Sequence, residues 1–147
     1  MTPPQLAFVP IRSADDLTAR WASLLDPPVF GARSLWLTWV GDDGLMLPLI
    51  VPIDDLPDQP DRQLLSGLLQ AAGGVLTDQL PDDDGHVAFA LCRPGPPEVT
   101  MDDDAWAEAL QLTFDDAIDG TWSLHLAAAG RVTQLVGPPP FLWRHRR

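Results

Sequence analysis

The sequence predicts an α/β (α+β) domain in which a single mixed β-sheet is packed by about three helices, and three observations carry that expectation. Amphipathic stretches at helical spacing interleave with short apolar runs of strand length, a pattern that layers helices on one sheet. A chain of 147 residues can bury roughly two thirds of its unfolded surface in one core. There is no internal repeat, and the one boundary signal is Gly137-Pro138-Pro139-Pro140. The expected organisation is therefore a globular body over 1–136 and a Pro-rich basic tail over 137–147.

Leu6 to Ile11 reads as a short leading strand limited to an edge by Pro10. Ser13 opens the first helix, with Asp16 three residues on as a capping partner, and Leu17, Trp21, Leu24 and Leu25 fall on one face until Pro27-Pro28. SLWLTWVG and LMLPLIVPI then flank Asp42-Asp43-Gly44, a hairpin signal. The first of these strands is apolar on both faces, with Trp36 opposite Leu35, Leu37 and Trp39, which predicts a central strand. Pro48 and Pro52 send the second strand to an edge.

Leu64, Leu65, Leu68, Leu69 and Ala72 make a second helix, expected to stop at Gly73-Gly74. HVAFALCR follows as a strand. A third helix is expected over Asp103–Ile118, with Trp106, Leu110, Phe114 and Ala117 inward and Gly120 beyond its end. WSLHLAAA and RVTQLV close the body as two strands joined across Gly130.

Composition narrows the function more by exclusion than by assignment. The chain has no Lys, Asn or Tyr, a bias expected from a GC-rich bacterial genome, and carries a net charge of −12. Three of the nine arginines sit in the terminal RHRR, so residues 1–143 hold six arginines against 21 acidic residues and a charge of −15. Such a body repels phosphate backbones, which argues against a nucleic-acid partner. The lone cysteine, Cys92, has no internal partner. With no secretory pattern at the start and no apolar run of membrane-spanning length, a cytoplasmic protein without an integral membrane segment is expected.

Asp82-Asp83-Asp84-Gly85 fails as a calcium loop, because aligning Gly85 at the sixth position puts Leu80 and Leu91 where oxygen ligands belong. His86, His125 and His145 lack any local pairing, and each reads as a surface or hydrogen-bonded histidine. Cys92 reads as a buried, inert thiol. Without lysine, P-loop and Schiff-base chemistries are excluded, and Gly-x-Ser-x-Gly is absent. Asp102, Asp103 and Asp104 are explained by a helix start, where Thr100 or Asp102 caps the amides and the carboxylates meet the helix dipole. No catalytic residue, metal or cofactor is assigned.

The segment Leu91-Cys92-Arg93-Pro94, a Gly95–Val99 loop and Thr100-x-x-Asp103 resembles the JAB/MPN metalloprotease-like fold, in the branch related to the bacterial RadC protein. That family carries His-x-His-Pro at a strand end and Ser-x-x-Asp at a helix start, where two histidines and the aspartate hold zinc and an upstream glutamate activates water. Here Leu91 and Arg93 stand in the histidine positions, and the only glutamates are Glu98 and Glu108. Ungapped counting places Asp104 at the ligand position instead. The resemblance implies a degenerate site in which Arg93 contacts Asp103 or Asp104 as a partly exposed ion pair.

A noncatalytic protein-interaction or scaffolding role is the resulting expectation, acting through a protein partner or self-association. The interaction residues are Arg93, Asp103 and Asp104, together with Phe141, Leu142, Trp143, Arg144, Arg146 and Arg147 of the tail, where a polyproline spacer precedes an aromatic anchor and an arginine cluster. Two alternatives stand beside it: a metal-dependent peptidase or isopeptidase using Asp103, Asp104, His86 and His125, and a homo-oligomer assembled through the tail.

Overall fold

The computed structural model describes residues 9–41, 43–80, 85–118 and 120–138. Helix α1 spans Ala14–Leu24. The Ser13 hydroxyl accepts the Asp16 amide at 3.0 Å, and the Asp16 carboxylate accepts the Arg12 amide at 2.9 Å. These bonds occupy donors that a helix start leaves unpaired. Strands β1 (Ser34–Val40) and β2 (Met46–Ile53) form the antiparallel hairpin, with an irregularity between Thr38 and Val40. Helix α2 (Arg62–Gln79), β3 (Gly85–Cys92), α3 (Met101–Phe114), β4 (Gly120–Ala128) and β5 (Arg131–Val136) complete the order.

The five strands form one mixed sheet in the order β2-β1-β3-β4-β5. Among the described residues only β3 and β4 run parallel, and α3 is the crossover that such a pair requires. β2 lies at an edge, where one side of the strand needs no ladder bonds and prolines such as Pro48 and Pro52 are tolerated. β3 occupies the centre and is buried throughout.

Helices cover both faces, and side-chain size sorts them. Val87, Phe89 and Leu91 point to the face under α2 and α3, where they meet Leu68, Ala72, Leu76, Trp106, Leu110 and Phe114. The alternate residues Ala88, Ala90 and Cys92, with Ala127 of β4, face α1. Their small side chains leave room for the fully buried Trp21, so bulk from the helix fills what the sheet omits. Trp39 reaches the opposite helix layer, where its indole N–H donates to the Ala72 carbonyl at 3.3 Å.

Two glycines permit a close approach at the start of the parallel pair. Gly85 sits opposite Gly120, and a Cβ on Gly120 would collide with the Gly85 carbonyl. The β4–β5 turn uses Ala129 (φ 53°) and Gly130 (φ 80°), both left-handed as a two-residue hairpin demands.

The structure corrects three expectations. α2 does not stop at Gly73-Gly74 but continues to Gln79, because Leu76 is the next member of the buried stripe Leu68–Ala72–Leu76. Burying a leucine is worth roughly 1.5–3 kcal/mol, more than the roughly 1 kcal/mol that a glycine costs a helix. α3 begins at Met101 rather than Asp103 and ends at Phe114 rather than Ile118, leaving Ala117 exposed outside it. The end is set by Asp115, whose backbone turns extended while its carboxylate accepts the Trp122 indole N–H at 2.7 Å. Of the expected leading strand, Leu6–Phe8 lie outside the described residues, and Val9–Ile11 form no strand; the Ile11 amide instead bonds the Gly44 carbonyl at 2.7 Å. Among the described residues no helix is long and apolar enough to cross a membrane.

Candidate functional site: an arginine knot at the end of β3

β3 ends at Cys92, so Arg93 is the first residue past the sheet edge, held there by its amide bond to the Ala127 carbonyl at 3.2 Å. α3 opens at the same end of the sheet. Thr100 caps it: its hydroxyl accepts the Asp103 amide at 3.2 Å, and the Asp103 carboxylate accepts the Thr100 amide at 2.9 Å. This reciprocal capping box turns the Asp103 side chain back towards the strand end.

Arg93 meets it there with both prongs of its fork. Nε donates to Oδ1 at 2.8 Å and Nη2 to Oδ2 at 2.7 Å. Nη1 donates to the carbonyls of Pro94 and Pro96 at 3.0 and 2.8 Å, and Nη2 also to that of Glu98 at 2.9 Å. All five guanidinium N–H groups are thereby used, three of them stitching the 94–98 loop. Burial would raise the Asp103 carboxyl, but the Arg93 and Thr100 hydrogen bonds outweigh it and hold the group below its usual range. The same bond raises the Arg93 guanidinium further.

The expected Arg93–Asp103 contact is therefore present, but it is not partly exposed: the two side chains are 2% and 0% accessible. Asp104 takes no part and faces solvent, because capping geometry selects the third helical residue, not the fourth. Phe141, Leu142, Trp143, Arg144, Arg146 and Arg147 lie outside the described residues.

A second arginine, Arg33, belongs to the cluster. The pairing of Ser34 with Cys92 places Arg33 across from Arg93. Its Nε lies 3.3 Å from Asp58 Oδ1, and its terminal nitrogens lie 3.9 Å from carboxylate oxygens of Asp102 and Asp103. Gln59 donates to Asp102, and the Trp106 indole N–H is shared between the carbonyls of Pro57 and Asp58 at 3.2 and 3.1 Å. The only sequence signal for Arg33 was its place one residue before a core strand, which acquires meaning once the β1–β3 register is known. Beside it, Phe30, Arg33, Trp36, Asp54 and Asp55 border a groove of about 430 Å³.

His86 and His125 are elsewhere. His86 is the second residue of β3, seven residues from Arg93 and so roughly 23 Å along the strand. Both imidazoles point to the α1 face, and both are fully buried. Thr121 and Ser123 hydroxyls lie 2.7 and 2.8 Å from the two His86 nitrogens. Thr18 joins His125 to α1: its hydroxyl donates to the Ala14 carbonyl at 3.2 Å and so accepts from His125 Nε2 at 2.8 Å, leaving Nδ1 bare and without a partner. Burial lowers His86 to about 3, helped by its neighbour His125, and burial lowers His125 to about 4. The Ser123–His86 pair has the spacing of a nucleophile and base, but both side chains are fully buried, out of a substrate's reach. The four residues Asp103, Asp104, His86 and His125 are not brought together. Among the described residues no group of three or more His, Cys, Asp or Glu side chains is arranged to hold a metal ion. Cys92 is buried, and burial pushes its thiol up to about 12, partly offset by a Ser34 hydrogen bond.

Comparison of the chain with protein-family models, curated proteins and solved structures found no match.

Proposed function

We propose that this domain acts by binding rather than by catalysis, as a noncatalytic protein-interaction or scaffolding module. One observation carries the reading: the carboxylate best placed to hold a cation, Asp103, is already neutralised by a buried arginine that spends all its donors on the pair and its loop. A fixed guanidinium charge beside that carboxylate repels a divalent ion, and a catalytic zinc needs about three protein ligands there. On the JAB/MPN resemblance, which we keep as a proposal, Arg93 would stand in place of a zinc histidine and its charge in place of that of the ion.

For a binding role the knot is a brace. It fixes the 94–98 loop and the start of α3, and Arg33, 3.9 Å from Asp103, lines the groove together with Phe30 and Trp36. Half-buried aromatics beside a restrained arginine are the side chains that dominate protein interfaces.

The experiment is elemental analysis of protein purified without a metal-affinity tag, with a peptidase and isopeptidase assay on the same sample. No stoichiometric zinc and no hydrolysis are expected. Zinc at one equivalent that disappears in Asp103→Asn, or hydrolysis abolished by that change, would overturn the reading.

A further inference from the structure

We infer that the hollow at the end of β5 is the receptor for the C-terminal segment Phe141–Arg147 of a second copy of this chain. The hollow, about 240 Å³, is bordered by Phe114, Asp115, Asp116, Trp122, Val136 and Gly137. Its lining is mainly apolar, with half-buried Val136 and the edge of Trp122 beside the fully buried ring of Phe114; these two rings lie 6.3 Å apart, and each packs on Phe89, at 6.2 and 5.1 Å. Its rim is anionic. Asp115 is held in place by the Trp122 indole, and Asp116 stands exposed in a left-handed turn (φ 65°).

The occupant is read from chemistry, charge and chain exit. Phe141-Leu142-Trp143 supplies an aromatic anchor for the mainly apolar lining, and Arg144, Arg146 and Arg147 follow immediately for the carboxylates. Residues 1–138 hold six arginines against 21 acidic residues, a charge of −15, while the segment after them carries three arginines and no acid. Opposite charges this unevenly divided along one chain are complementary between copies. Gly137 lies on the rim itself, and Pro138-Pro139-Pro140 follows it. A proline run favours an extended form, at roughly 3.1 Å per residue, and an extended spacer disfavours folding straight back onto the hollow it leaves. Reciprocal exchange between two copies then satisfies both sites in a closed two-fold pair. This deepens the binding-module reading and rests on it.

The test is the solution mass of the full chain by sedimentation velocity, at low and high salt. A dimer that dissociates as salt rises is expected. Arg144→Glu/Arg146→Glu/Arg147→Glu should weaken self-association at least about 100-fold, from the reversal of three exposed pairings, and Asp116→Arg should weaken it from the receptor side. Mixing the two variants restores both complementary contacts, so a heterodimer should form where each alone is monomeric. A monomeric native chain, a dimer indifferent to the tail substitutions, or a mixture that stays monomeric would each overturn the inference. None of these outcomes bears on zinc content or hydrolysis, so the two proposals fail separately. Circular dichroism of each variant establishes that a lost dimer is not a lost fold.

Discussion

Replacing Arg93 with alanine tests the knot directly. An exposed ion pair contributes about 0.2–1 kcal/mol, whereas removing one partner of a buried pair costs about 3–5 kcal/mol. Accessibilities of 2% and 0% put this pair in the second class. Alanine would leave Asp103 buried with only the Thr100 amide and a distant Arg33, and would strip donors from the carbonyls of Pro94, Pro96 and Glu98. At about 2.1 cal/mol/K of unfolding entropy per residue, a 3–5 kcal/mol loss over this chain lowers the melting temperature by roughly 10–16 °C. Asp103 in the native chain stabilises the fold above its unfolded value, and that contribution is lost as pH falls through its depressed folded value. In the variant burial dominates and the carboxyl rises, so the deficit should widen as pH increases. Urea titration at several pH values measures this. Arg93→Lys should recover only part of the loss, because an ammonium cannot make the fork, and Arg93→Met/Asp103→Leu should be more stable than Arg93→Ala alone. A loss below about 1 kcal/mol for Arg93→Ala, the worth of an exposed pair, would refute the assignment of a buried knot.

Two further outcomes are expected. His86 and His125 are lowered to about 3 and about 4, while the unfolded chain titrates near 6.5, so the unfolded state binds more protons between those values. Stability should be complete above about pH 6.5 and fall by roughly 2 kcal/mol per histidine on reaching pH 5, a window above the range in which carboxylates titrate. Equal urea midpoints at pH 7.5 and 5 would contradict the burial of the pair, and His125→Gln should halve the drop. Gly74 lies inside α2, and nothing comes within 4 Å of a Cβ built on it. Gly74→Ala should therefore stabilise by about 0.5–1 kcal/mol in thermal melts, and destabilisation would mean that the helix does not run through this position.

What could be read from the sequence was whatever is decided within a few residues. Ser13 and Thr100 cap their helices because side chain and amide are three residues apart, and no distant contact is needed. Pro48 and Pro52 sent β2 to an edge because each lacks a donor wherever the strand lies. Trp36 and Trp39 take opposite faces by the period of two alone. Even Arg93–Asp103 was legible, since a strand end, a short Pro/Gly loop and a capping box leave little freedom between them.

Competition between local preference and burial was decided only in three dimensions. Gly73-Gly74 signals a helix end, and the sheet overruled it by burying Leu76. Phe114 ends α3 because Trp122, on the next strand, holds the Asp115 carboxylate. Arg33 joined the cluster through the Ser34–Cys92 register, and the two histidines were separated from Asp103 by the sheet itself. The chain alone determined the order of the helices and the core strands and which residues cap α1 and α3, because those energies are local. Which charges end up buried together depends on strand order and register, which the packing of the whole core selects.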